Sequence, residues 1–195
     1  YNIIVGSKGM KNIRNFMTDY YKENEKIFYI DDDIYAFQSL KEGKLVELEN
    51  LIDFINEGFN VLEKSGSGLF GIYPVNNAYF MNNEITTHLT YIVGCCYGAI
   101  NDKNIKVSID DKEDYERSIL YYLKYKKVIR FNNITIKTKY YTEKGGLQSE
   151  GMRNWEQVDK SAKYLIEKYP ELCKINTSKK RLDKEPKKIL TEIKF

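Results

Sequence analysis

One short stretch constrains this chain more than any other. Lys26-Ile27-Phe28-Tyr29-Ile30 runs straight into Asp31-Asp32-Asp33-Ile34. A brief apolar run bounded by charge suits a buried strand. The carboxylates then stand at its C-terminal end, where open α/β sheets bind ligands. Strand side chains alternate, so Asp31 and Asp33 point the same way if the extended geometry persists through them. Three adjacent carboxylates repel one another and favour protonation unless a cation is present. Oxygen ligands of this kind suit Mg²⁺ or Mn²⁺, often shared with substrate phosphates. The plain alternative is a solvated acidic turn.

The surrounding pattern predicts a layered α/β domain. Before the strand, Lys11–Tyr21 carries Ile13, Phe16, Met17, Tyr20 and Tyr21 at helical spacing. After it, Leu45–Leu62 repeats that spacing with Leu48, Leu51, Ile52, Ile55 and Phe59. Leu69–Pro74 reads as a strand closed by proline, and Thr90–Ile100 as a buried strand containing Gly94 and Gly98. Asp114–Tyr125 reads as a helix. Val128–Tyr141 alternates and predicts one long strand or two shorter ones. Trp155–Tyr169 is a further helix, stopped by Pro170. There is no internal repeat.

Composition sets outer limits. A chain of 195 residues with 42% hydrophobic and 14% aromatic content is not disordered, and it can bury a core without staples. No apolar run approaches the roughly 18 residues of a membrane span. Three cysteines, two of them adjacent as Cys95-Cys96, argue against a secreted disulfide framework and offer no CxxC zinc pair. The expected location is therefore the cytoplasm. Lys, Ile, Asn and Tyr number 26, 22, 17 and 17, a bias toward A/T-rich codons. It points to a low-GC bacterium, its phage or a large DNA virus, whose product would act in the host cytoplasm. Formal charge is +3, but Lys174–Phe195 holds eight Lys/Arg against three Asp/Glu. A basic C-terminal tail, 174–195, is thus expected after a domain spanning 1–173. Such a tail could contact nucleic-acid phosphates, or be a solvated terminus.

Four further constellations could carry chemistry. Asp110-Asp111-Lys112-Glu113-Asp114-Tyr115-Glu116-Arg117 stands at the start of a helix, where acids are ordinary caps and dipole partners. One of Glu113 and Asp114 could instead face a site as general base or bind an acceptor hydroxyl. Gly145-Gly146-Leu147 allows close backbone approach to a ligand, and Arg153 could meet a diphosphate. Gly6-Ser7-Lys8-Gly9, ahead of Arg14-Asn15, could cradle a phosphate at a helix N-terminus but lacks the Walker spacing. His88 is the single histidine, so a three-histidine zinc site within the chain is impossible. The tyrosines Tyr73, Tyr79, Tyr91, Tyr121, Tyr122 and Tyr125 are mainly core and helix-face candidates.

In order, Lys8-Gly9 with Arg14-Asn15, the strand into Asp31-Asp32-Asp33-Ile34, Lys112 to Arg117, Val128-Ile129-Arg130-Phe131-Asn132 and Gly145-Gly146-Leu147 resemble the TET/JBP-associated glycosyltransferases. Members of that family, in phages and kinetoplastids, modify hydroxymethylated bases in DNA. The resemblance runs from about residue 6 to residue 153. It implies a GT-A-like, Rossmann-like mixed sheet flanked by helices that binds a nucleotide-sugar. It implies Asp31 and Asp33 as the ligands of Mn²⁺ or Mg²⁺, with Asp32 near the ribose or donor sugar. Arg14, Gly145, Gly146 and Arg153 would belong to the donor pocket, and Glu113 or Asp114 would be the acceptor-side catalytic carboxylate.

The implied function is sugar transfer from a nucleotide-diphosphate-sugar to a hydroxyl, with a hydroxymethylated pyrimidine in DNA as acceptor. The same fold acting on a glycan or protein, or serving as a non-catalytic nucleotide-binding domain, are the alternatives. One departure matters: the usual GT-A fold opens with a strand and loop that grip the nucleotide base. Tyr1-Asn2-Ile3-Ile4-Val5-Gly6 starts without Met and without a signal peptide's leader. The expectation is a domain lacking its first N-terminal strand, either removed or replaced by another segment.

Overall fold

A computed structural model describes residues 2–139, 155–176 and 193–195. Its centre is a five-stranded mixed sheet of β1 (Lys26–Ile30), β4 (Leu69–Ile72), β5 (Ile85–Thr86), β6 (Cys96–Ile100) and β7 (Ile129–Phe131), in the order β1-β6-β4-β7-β5. β4 and β7 pair in parallel, and the other pairs are antiparallel. β1, β4 and β7 therefore point the same way, and their C-terminal ends share one edge of the sheet. The architecture is α/β with a mixed sheet flanked by helices, as expected.

Alternation decides which side chain goes where. Phe28, Gly98, Phe70 and Ile129 are register partners on one face; Tyr29, Tyr97, Gly71 and Arg130 are the corresponding row on the other. On the first face Phe70, Ile72, Ile129 and Phe131 pack against Phe54, Phe59 and Leu62 of α2 (Leu51–Ser65). On the second, Leu69, Tyr97, Ala99 and Val128 pack against Tyr121 of α3 (Glu113–Tyr125). α4 (Trp155–Lys168) lies outside α3, where Ala162 and Leu165 enclose Ile119 together with Cys173 and Ile193. α1 (Met10–Tyr20) is tied to the second face by the Asn15 amide, which donates to the Val107 carbonyl. Burial on both faces explains why β4 and β6 read as continuous apolar runs.

A second, three-stranded sheet is built from β2 (Ile34–Lys41), β3 (Lys44–Glu47) and β8 (Ile134–Thr138). It corrects the predicted start of one helix and decides between the two readings of the stretch from Val128. The predicted helix from Leu45 begins only at Leu51, because Asn50 caps it by accepting from the amides of Ile52 and Asp53. Leu45 instead lies in β3, reached through a two-residue turn in which Glu42 and Gly43 both have positive φ. The alternating stretch from Val128 is two strands divided at Asn132-Asn133 and shared between the two sheets. The strand expected over Thr90–Ile100 begins only at Cys96.

Among the described residues no helix is long and apolar enough to cross a membrane. The three cysteines are free and buried. Residues 177–192 of the basic tail lie outside the described residues, as do Gly145, Gly146 and Arg153. The ends of the tail rejoin the domain: β9 (Lys174–Ile175) pairs with β10 (Ile193–Lys194), and Ile193 is buried beside α4.

Candidate functional site

The site grows from the end of β1. The Asp31 amide donates to the Cys95 carbonyl at 2.9 Å, which extends the β1–β6 ladder by one residue. The chain then turns through Asp32 and Asp33, with the Ile34 amide donating back to the Asp31 carbonyl at 3.4 Å, and leaves as β2 for the other sheet. The extended geometry therefore stops at Asp31, because consecutive segments belong to different sheets. The three carboxylates occupy the corner between them. Asp32 is exposed, whereas Asp33 is half-buried and its Oδ1 is buried without a hydrogen-bond partner. Burial pushes the Asp31 carboxyl up; Arg14 pulls it down and the nearby Asp33 raises it again.

Arg14 crosses from α1 to this corner. Its Nη2 donates to the Gly94 carbonyl at 2.8 Å and lies 3.5 Å from Asp31 Oδ1, while its Nε donates to Glu113 Oε1 at 3.2 Å. Glu113 Oε2 accepts from Arg117 Nη1 at 2.9 Å, one helical turn along α3. The Arg117 guanidinium sits 3.7 Å from the Tyr97 ring centroid, and Arg14 lies over the same ring at 5.6 Å. Burial works to lower the Arg14 pKa but is outweighed by Tyr97, Glu113 and Asp31, so it stays charged. Burial pushes the Glu113 carboxyl up, and Arg117 and Arg14 pull it back.

Asp114 faces elsewhere. Its Oδ2 accepts from the Tyr91 hydroxyl at 2.6 Å and its Oδ1 from the Tyr115 amide at 3.0 Å. The rings of Tyr91 and Tyr115 stack at 4.4 Å, which fixes the phenol that holds Asp114. Gly94 permits this packing: a Cβ there would lie 3.2 Å from Glu113 Oε1 and 3.4 Å from Asp114.

The structure thus brings Arg14, Asp31 and Glu113 into one network, and places Asp33 and Asp114 at its two margins. Arg14 lies within this network, where its contacts orient Asp31 and neutralise Glu113. The glycine loop before α1 does not present a free anion site at the helix N-terminus. Asp110 already occupies it, its Oδ1 accepting from the Lys11 amide at 3.0 Å. His88 and Tyr79 are exposed, so Tyr79 is not a core residue. Arg117 and Tyr91 were missed as site residues; the Glu113/Arg117 spacing was the available signal for the first, and nothing local marks the second. The chain matches no known protein family, no curated protein and no solved structure.

Two carboxylates at one corner, one carrying an unpartnered buried oxygen, fit a hard divalent ion. Such ions take one or two protein carboxylates and complete their shell with substrate phosphates and water. No cluster of three His, Cys, Asp or Glu side chains that could hold a metal occurs among the described residues. Any ion here would therefore depend on ligand oxygens.

Proposed function

We propose that this protein is a metal-dependent glycosyltransferase of GT-A type. It moves a sugar from a nucleotide-diphosphate-sugar to a hydroxyl, that of a hydroxymethylated pyrimidine in DNA. The observation that carries the reading is the corner beyond β1, where Asp33 Oδ1 is buried without a partner and Asp31 is anchored by Arg14. Asp31 and Asp33 would hold Mn²⁺ or Mg²⁺, which when bound neutralises the leaving diphosphate as a Lewis acid. The acceptor and the family rest on the sequence resemblance.

In this reading Arg14 fixes the Asp31 carboxylate, and Asp32 is free to meet the donor's sugar or ribose. The acceptor oxygen attacks the anomeric carbon as the bond from that carbon to the diphosphate oxygen breaks, and the electron pair leaves with the diphosphate. If the reaction inverts, the acceptor proton passes to a carboxylate. Asp114 suits that role better than Glu113, whose two oxygens are both held by arginines in the protein interior. The Tyr91 hydroxyl holds Asp114 in orientation. A target on a base edge requires local opening or flipping of the duplex.

The test is turnover of a panel of nucleotide-sugars by the full chain with Mn²⁺, repeated on Asp31→Ala and Asp33→Ala. We expect metal-dependent release of the nucleotide diphosphate, reduced at least about a hundredfold in either variant, a loss of the size seen when an electrostatic stabiliser is removed. A mass gain on hydroxymethylated DNA but not on plain DNA identifies the acceptor. Absence of metal-dependent turnover, or full activity in both variants, would overturn the enzyme reading. Transfer only to a glycan or protein would end the DNA assignment.

A further inference from the structure

Arg130 is a second feature of the same sheet edge, and the network around Asp31 does not use it. It lies on β7 in the row Tyr29, Tyr97, Gly71, Arg130, on the face that carries α3. The guanidinium is half-buried and held on three sides. Its Nε donates to Asn132 Oδ1 at 2.8 Å, its Nη1 donates to the Tyr91 carbonyl at 3.4 Å, and its cation lies 5.2 Å from the Tyr73 ring centroid. Among the described residues no carboxylate pairs with it. Arg14 and Arg117, on the same face, share Glu113. Burial lowers the Arg130 pKa, with only Tyr73 acting against it.

A charge in this position is costly to desolvate unless an anion meets it. Guanidinium carries five N–H donors, and partners among the described residues take two, leaving three on Nη1 and Nη2. Among the described residues Nη2 has no hydrogen-bond partner, and the side chain is only half-buried. The register adds a further donor. Thr86 stands directly opposite Arg130, and its Oγ1 accepts from Asn132 Nδ2 at 2.9 Å. A hydroxyl that accepts in this way keeps its own proton for a ligand. Asn132 thus bridges the two, orienting Arg130 through its carbonyl and Thr86 through its amide.

We infer that Arg130, set by Asn132, Tyr73 and the Tyr91 carbonyl and joined by the Thr86 hydroxyl, forms a binding site for a phosphate group of a small ligand. The rigid fork of arginine matches two oxygens of a phosphate, and a tetrahedral anion presents a further oxygen to a hydroxyl out of that plane. The site is built from β5, β7 and the segments beside them, and needs no metal. It stands independently of the glycosyl-transfer reading.

The test is titration calorimetry of inorganic pyrophosphate into the full chain, in metal-free buffer containing chelator, so that Asp31 and Asp33 cannot contribute through an ion. We expect saturable binding, at least tenfold weaker in Arg130→Gln, intermediate in Arg130→Lys and unchanged in Asp31→Ala. Near-ultraviolet circular dichroism checks that each variant keeps its packing. Should Arg130→Gln not fold, the wild type still decides. The arginine Nε–H resonance that Arg130→Lys removes must shift on adding pyrophosphate, and by more than with an equal ionic strength of chloride. No saturable binding by the wild type, equal binding by Arg130→Gln, or an unmoved Arg130 resonance would each overturn the inference. Failure here leaves metal-dependent turnover untouched, and absence of turnover leaves this site standing.

Discussion

Arg14 and Glu113 lie 99 positions apart in the chain, yet the Arg14 Nε donates to Glu113 Oε1 at 3.2 Å in the protein interior. This contact joins α1 to the first residue of α3. Arg117 holds the other oxygen, so one carboxylate serves two buried guanidinium groups. Glu113→Gln removes the charge and leaves Arg14 and Arg117 facing each other. Breaking a buried pair by neutralising one partner costs about 3–5 kcal/mol. We expect the urea midpoint to fall accordingly with little change in m-value. A loss below about 1 kcal/mol, the scale of an exposed ion pair, would show that Glu113 is not the charge on which the two helices close.

Phe70 is fully buried between two glycines, Gly98 on the neighbouring strand and Gly58 on α2. A Cβ built at either position would overlap its ring. Gly98→Ala therefore overpacks the core and is expected to cost about 1–3 kcal/mol. Combining it with Phe70→Leu should give less destabilisation than the two single losses added together, because the smaller side chain vacates the space. A double-mutant cycle on chemical unfolding measures this, and strict additivity would contradict it.

Asp114 and Tyr91 separate chemistry from positioning. Asp114→Asn is expected to lower kcat by about 10²–10⁴-fold, the range for loss of a general base. Tyr91→Phe keeps the ring stack with Tyr115 and removes only the hydroxyl, so its effect on kcat should be smaller, on the order of tenfold. Steady-state kinetics of both variants on the same acceptor provide the comparison. Equal losses, or a Tyr91→Phe loss exceeding that of Asp114→Asn, would place the acceptor proton elsewhere.

Tyr97 and Tyr121 give the fold an alkaline limit. Burial raises the pKa of both phenols above their ordinary value; Arg117 and Arg14 pull Tyr97 partway back, and Arg117 pulls at Tyr121. A phenol whose pKa is raised on folding is protonated in the native state where the unfolded chain has already released its proton. The stability it supports is complete below the unfolded value near pH 10 and is lost as pH rises through the folded one. The expected slope above about pH 10 is a loss of about 1.4 kcal/mol per pH unit for each such tyrosine. Tyrosinate absorbance should then appear together with unfolding. Full ionisation of all tyrosines with native ellipticity retained would contradict it.

The helices α1, α3 and α4 and the strand β1 were legible because each carries its own apolar period. The β2–β3 hairpin was not. Leu45 and Leu48 stand three apart, a spacing that a helix and a strand-plus-turn both satisfy over so short a window. Only the positive φ of Glu42 and Gly43 and the Asn50 cap decide between them. The division of Ile129–Thr138 between two sheets had no local mark, because alternation says nothing about the partner strand.

Within the candidate site, the sequence alone determined that three carboxylates follow a strand and that an acidic pair opens a helix; the strand itself lies at the edge of its sheet with only Ile27 buried, not in the interior as its apolar run predicts. The sequence left Glu113 and Asp114 equivalent. Successive residues of a helix point about 100° apart, so only docking could decide which faces what. Packed against β6 and α1, Glu113 turns inward to two arginines, while Asp114 turns toward the Tyr91 hydroxyl. Likewise the Asp31–Asp33 alternation held only as long as the strand did, and the crossing into a second sheet ended it at Asp31. Residue type and order fixed which charges exist; long-range pairing fixed which of them are neutralised inside the protein and which are left to meet a ligand.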